Sequence, residues 1–187
     1  NDLDFAPTTD ETATVTFAVE TPEIATRAYS DGATATVLQY AVYDAAGNEL
    51  EDLTVTDGEI HGSTTVNLQL TTGNTYSVIF WAAAPTAPYS VDFANKTMTV
   101  DYTNAVSNDE RRDAFYCYYE VTADRTKTEK VTLRRPFAQL NIGTNDLNEL
   151  DGVSADKTSV KVDVYSALNL VDGNIVADSL IVDQLFA

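Results

Sequence analysis

Cysteine and histidine are nearly missing from this chain, with Cys117 and His61 the single examples in 187 residues. One cysteine cannot close an intramolecular disulfide, and one cysteine with one histidine cannot complete a zinc shell, so disulfide scaffolds and His- or Cys-rich metal sites are excluded by count. The cysteine count does not by itself decide the compartment. No stretch approaches the roughly 20 apolar residues of a spanning helix. Glycine-rich phosphate loops are absent too. The chain opens at Asn1-Asp2 with neither a basic leader nor an apolar one, the pattern expected of a mature exported protein whose signal has been removed.

Positive charge is scarce as well. Eleven Lys and Arg face 29 Asp and Glu, for a net charge of −18, and such a surface repels nucleic acid and anionic lipid while favouring solubility. The basic residues are unevenly placed. Arg111, Arg112, Arg125, Lys127, Lys130, Arg134 and Arg135 crowd one stretch, opposed there only by Asp113, Glu120, Asp124 and Glu129. Lys and Arg on strand edges deter unwanted pairing, and a local positive patch also suits contact with the acidic surface of another copy.

What the chain does have is Thr- and Tyr-rich alternation of period two, cut by Gly, Asn and Asp turns, which is an all-β signature. Thr14 to Val19 sets Val15, Phe17 and Val19 on one face. Ala35 to Tyr43, Glu49 to Thr56 and Ser63 to Leu70 follow as strands, with a turn at Asp44 to Asn48. Thr75 to Ala84 is apolar or small almost throughout, so it reads as a central strand buried on both faces. Tyr89 to Phe93 and Thr97 to Tyr102 read as a hairpin at a sheet edge. Ser107 with Glu110 has capping-box spacing for a short helical turn, Asp146 with Glu149 repeats it more weakly, and Val131 to Ile142 and Ser159 to Leu170 add two strands. Eight or nine strands at this spacing predict an antiparallel two-sheet β-sandwich of transthyretin-like or Greek-key type, with one or two short helical turns. Val78, Phe80, Leu140 and Val162 are its expected core.

Parts for catalysis are wanting. His61, in Glu59-Ile60-His61-Gly62-Ser63, reads as a surface turn rather than a triad member. Cys117, among Phe115, Tyr116, Tyr118 and Tyr119, reads as a small buried hydrophobe, with no His or Lys nearby in sequence to lower its pKa. Apolar residues interrupt Asp146 to Gly152 where a calcium loop needs ligands. Nothing among the 29 acids selects a glycosidase pair. Trp81, Tyr116, Tyr118 and Tyr119 suit a sugar-stacking platform, although aromatics are also ordinary cross-strand partners. Neither a catalytic centre, a metal site nor a cofactor is expected.

Two stretches add a resemblance. Arg27-Ala28-Tyr29-Ser30-Asp31-Gly32 followed by Leu38 to Leu50, and then Arg135-Pro136-Phe137-Ala138-Gln139-Leu140-Asn141-Ile142-Gly143-Thr144, resemble two segments of Mfa-like fimbrillins, the type V pilus subunits of Bacteroidales. The resemblance runs over roughly residues 12 to 170, the reach of that family's N-terminal domain. It implies a structural pilus or accessory tip or anchor subunit at the cell surface or outer membrane, exported as a lipoprotein precursor. Its partners are then other pilus subunits, an arginine-specific maturation protease, and a host or bacterial surface ligand. Members of that family carry a second sandwich after this domain, and an apolar run begins here at Leu180.

Arg27 is the only basic residue in the first 95, and it lies in a segment with Pro22 near its start and Gly32 at its end. An exposed connector of this kind is open to proteolysis. The expected division is a removable N-terminal segment (1–27) processed between Arg27 and Ala28, a sandwich domain (28–175), and the start of a linker or second domain (176–187). Removing the strand that carries Val15, Phe17 and Val19 opens a groove that a neighbour's strand can fill. In one alternative that strand is permanent and Arg27 an ordinary loop residue, as a tip or anchor subunit requires; in another the chain is a non-polymerising, glycan-binding surface lipoprotein.

Overall fold

The computed structural model describes residues 11–22, 31–138, 149, 151–152, 158–176 and 179–186; for 158–160, 162 and 179–186 the backbone alone is described. Among the described residues twelve strands run in chain order: β1 (Thr12–Glu20), β2 (Val37–Tyr43), β3 (Val55–Glu59), β4 (Ser63–Thr71), β5 (Thr75–Ala83), β6 (Tyr89–Asp92), β7 (Thr97–Val100), β8 (Ala114–Thr122), β9 (Lys127–Thr132), β10 (Thr158–Tyr165), β11 (Ala167–Asn169) and β12 (Ser179–Phe186). Helix among the described residues is limited to 3-10 turns, Glu51–Leu53, Glu110–Arg112 and one that includes Glu149. The protein is the all-β sandwich that the alternation predicts.

Two sheets form the sandwich, one in the order β4-β1-β9 and one in the order β3-β2-β5-β8. Alternation decides what lies between them. Val15, Phe17 and Val19 of β1 and Val66, Leu68 and Leu70 of β4 meet Leu38, Val42, Val78, Phe80, Phe115 and Val121 in one continuous core. The opposite face of β5, with Ile79, Trp81 and Ala83, is covered by a third, smaller sheet in the order β11-β7-β6, through Met98, Phe93, Leu168 and Leu170. β5 is therefore buried on both faces, as its unbroken apolar sequence requires. The β6–β7 hairpin forms as expected, with β6 the edge strand of the third sheet, and it lies over the central sheet because Trp81 and Tyr43 leave apolar area there that must be covered.

Val78 and Phe80 have no exposed surface. Leu140 falls outside the described residues, and of Val162 only the backbone is described. One pairing departs from the antiparallel pattern: β1 runs antiparallel to β4 but parallel to β9. Strands so far apart in the chain are not joined by a tight turn, so connectivity does not force their relative direction. The second 3-10 turn is capped by Asp109, whose side chain accepts from the Arg111 N–H, so the expected Ser107 cap gives way to a residue two positions later. Ser159 to Leu170 forms two strands, β10 and β11, separated at Ser166.

Candidate functional site

The first strand occupies the middle of its sheet. β1 makes nine register pairs with β4, from Thr12↔Thr71 to Glu20↔Ser63, and six with β9, from Val15↔Lys127 to Glu20↔Thr132. Val15, Phe17 and Val19 are each 0% exposed. The Phe17 ring lies 5.5 Å from Phe80 and meets Tyr119 edge-on at 5.9 Å. Burying a side chain of this size contributes about 1.5–3 kcal/mol, so the three together approach the whole stability of a typical domain, about 5–15 kcal/mol. A slot emptied of β1 cannot persist in water unoccupied.

The outward face of β1 holds position by polar contacts. Thr16 Oγ1 donates to Asn67 Oδ1 at 2.8 Å, and Gln69 Nε2 donates to Thr14 Oγ1 at 2.8 Å. At the end of the strand Glu20 receives Lys130 Nζ at 2.9 Å and the Thr132 hydroxyl at 3.0 Å. These two donors, Lys130 first, hold the Glu20 carboxyl below its ordinary value. Its backbone carbonyl accepts from the Leu133 N–H at 2.8 Å.

The chain leaves β1 through Thr21 and Pro22 and is described again from Asp31. Arg27 and Ala28 lie outside the described residues. Where the chain resumes it is tied down independently of β1. The Gly32 N–H donates to Asp113 Oδ2 at 3.0 Å, and Thr34 Oγ1 donates to the Glu110 carbonyl at 2.7 Å. Asp113 is 6% exposed and also receives Arg135 Nε and Nη2 at 2.9 and 3.0 Å. Asp113 thus joins the first family-like stretch, through Gly32, to the second, through Arg135. Sequence reading passed over Asp113, counting it only as one acid opposing the arginines around it.

The other candidates separate. His61 is exposed beside Gly62. Cys117 is half-buried against the core, and burial pushes its thiol pKa up. The four candidate platform aromatics do not share a surface: Trp81, Tyr116 and Tyr118 pack toward the third sheet, while Tyr119 faces the main core and donates to Glu129 at 2.7 Å. Alternation along β8 puts Tyr119 on the face opposite Tyr116 and Tyr118, and Trp81 and Tyr116 are themselves buried under the third sheet. The crowded basic residues are mostly in ion pairs, Arg111 with Asp109, Lys127 with Asp124 and Glu129, Lys130 with Glu20, and Arg135 with Asp113. Among the described residues no three His, Cys, Asp or Glu side chains are grouped as a metal site, and no helix is long and apolar enough to cross a membrane.

A family model described as a family of unknown function (DUF6562) matches residues 7–184. The chain belongs to that family. Among solved structures it is similar to a candidate polysaccharide-binding protein (DUF1812) of Bacteroides thetaiotaomicron, with 16% identity and a TM-score of 0.56 over 91% of this chain and 64% of that one. It is also similar to a candidate adhesin of the same organism, with 12% identity and a TM-score of 0.53 over 93% of this chain and 62% of that one. A candidate adhesin of Bacteroides ovatus gives 10% identity and a TM-score of 0.50 over 91% and 62%. At these identities the likeness is one of fold. The chain spans less than two thirds of the length of each. No curated protein matches it.

Proposed function

We propose that this protein is a fimbrial subunit exported to the cell surface, stalk or accessory, whose first strand is a placeholder released by proteolysis and replaced by a strand from the next subunit. The observation that carries this reading is the position of β1, central in its sheet and bonded on both sides. Cutting between Arg27 and Ala28 separates β1 covalently from β2. Because Gly32 is held by Asp113 rather than by β1, the domain keeps its new N-terminal end anchored while the slot opens. The vacated slot offers backbone N–H and C=O groups on two neighbouring strands and an apolar floor of Phe80, Val78 and Leu38. A donor with small or apolar side chains at every second position fits it, by main-chain hydrogen bonds for affinity and alternate side chains for register. On this reading the partners are further subunits, an arginine-specific protease and a surface ligand, and the role is adhesive and structural rather than catalytic.

Treating the exported protein and its Arg27→Ala variant with an arginine-specific protease tests the proposal. The wild type is expected to acquire an N-terminus at Ala28 and to form filaments visible by electron microscopy, and the variant to remain monomeric. Equal polymerisation of the two overturns it.

A further inference from the structure

Two cavities adjoin on the side of the molecule away from β1, one of about 240 Å³ and one of about 520 Å³. Both are lined by Val100, Tyr102 and Phe137. Aromatic rings form much of the boundary and are held in place: the Tyr102 hydroxyl donates to the Tyr165 carbonyl at 3.2 Å, Tyr89 donates to the Arg112 carbonyl, and Phe137 stacks on Tyr89 at 6.0 Å. Phe137 keeps 36% of its surface exposed. Rings fixed in this way offer apolar faces at little entropic cost to a ligand.

The smaller cavity is also charged, and its charges are unequally satisfied. Asp113 is taken by Gly32 and Arg135, and Asp109 by a bidentate contact from Arg111 at 2.8 and 2.7 Å. Arg112 is held loosely by comparison. Its Nη2 reaches the Asp101 carbonyl only at 3.3 Å, its Nε stands 3.9 Å from Asp109, and that Nε is buried with no hydrogen-bond partner. A buried donor without a partner is costly, and a guanidinium with two donors in a fixed fork is matched to a carboxylate. The Arg112 guanidinium carbon stands over the Tyr102 ring, 5.6 Å from its centroid. Asp109 and Asp113 nearby penalise a ligand of high negative charge, as does the net charge of −18. A single carboxylate escapes most of that penalty.

We propose that this cleft binds a carboxylate-bearing sugar residue of the uronic-acid type, its pyranose ring against Phe137 and Tyr102 and its carboxylate on Arg112. The larger cavity, at about 520 Å³, lies within the size range of small-molecule sites, roughly 300–1,000 Å³, and the smaller one that holds Arg112, at about 240 Å³, falls just below it. Its binding is independent of whether the protein polymerises, since none of these residues belongs to β1, β4 or β9.

The test is calorimetric titration of the intact chain with methyl galacturonoside, which carries a single carboxylate, and with its methyl ester, which keeps the shape and removes the charge. The acid is expected to bind at least about tenfold more tightly than the ester, the loss of one charge-assisted contact. Arg112→Gln is expected to remove that preference and Phe137→Ala to weaken both ligands, with thermal midpoints within about 2 °C of wild type. Should Arg112→Gln lower the midpoint further, Arg112→Lys, which keeps the charge but not the fork, is read in its place and is expected to retain part of the preference. Equal affinity for acid and ester overturns the proposal, as does undiminished binding by Arg112→Gln or the absence of binding at about 10 mM.

Discussion

Arg135 and Asp113 form a two-pronged ion pair, at 2.9 and 3.0 Å, across 22 residues of chain, with Asp113 almost wholly buried. Breaking such a pair from one side leaves the other charge uncompensated, which costs about 3–5 kcal/mol when burial is complete. Arg135 is a quarter exposed, so the low end applies. Asp113→Ala, which orphans the part-exposed Arg135 and the Gly32 N–H, is expected to destabilise the protein by about 3 kcal/mol in urea unfolding, and Arg135→Gln, which leaves the buried Asp113 carboxylate uncompensated, by at least as much. A clearly smaller effect of Arg135→Gln contradicts the burial of Asp113 on which this expectation rests.

Phe17 tests how far the sandwich depends on β1. Phe17→Ala is expected to cost about 3–5 kcal/mol by emptying the space against Phe80 and Tyr119. Thr16→Ala, on the outward face of the same strand, loses only its bond to Asn67 and is expected to cost about 1 kcal/mol. Comparable losses from both variants contradict the burial pattern on which the slot rests.

Acid should loosen the β1 and β9 contact at Glu20. Its folded pKa is depressed below the ordinary 4.5 by Lys130 and Thr132, so the stabilisation is present above that value and disappears as pH falls through the lower, folded value. The midpoint difference between wild type and Glu20→Gln is therefore expected to be present at pH 7 and to shrink below about pH 4.5. Comparing the pair cancels the relief of general charge repulsion that acid also brings. A gap that widens in acid contradicts the assignment.

Gly58 on β3 faces a neighbour's backbone. A methyl group placed there stands 2.8 Å from the Leu38 carbonyl oxygen, beside the register shift between Leu38 and Tyr40. Backbone cannot yield as a side-chain tip does, so Gly58→Ala is expected to cost about 1–3 kcal/mol and to speed hydrogen exchange at β3 before the rest of the sheet. Unchanged stability and exchange contradict this.

Cys117 should be a slow thiol. Burial raises its pKa, so less thiolate is present near neutrality than for a free cysteine. Alkylation by iodoacetamide at pH 7.5 is expected to be slower in the folded protein than in urea, and equal rates contradict the packing described.

The sequence by itself determined the all-β class and the buried faces of its long, strongly alternating strands, though not every strand or its bounds: β9 lies at Lys127–Thr132 rather than Val131 to Ile142. Period-two alternation in Thr12–Glu20 and Ser63–Thr71 marks which side chains turn inward, and the unbroken apolar run of Thr75–Ala83 marks a strand covered twice. These are local properties, because side-chain direction alternates wherever the backbone is extended. Which strands are neighbours was decided only in the tertiary structure. Nothing in Thr12–Glu20 says that it enters between β4 and β9, antiparallel to one and parallel to the other, since either edge accepts the same main-chain bonds. The same holds for the aromatics: Tyr118 and Tyr119 look like one cluster in sequence, but adjacent strand residues point to opposite layers. The meeting of Gly32, Asp113 and Arg135, and the loosely held Arg112 beside Tyr102 and Phe137, belong to residues far apart in the chain. Hydrogen-bond satisfaction and burial are relations between such residues, and they exist only once the three layers have closed around β5.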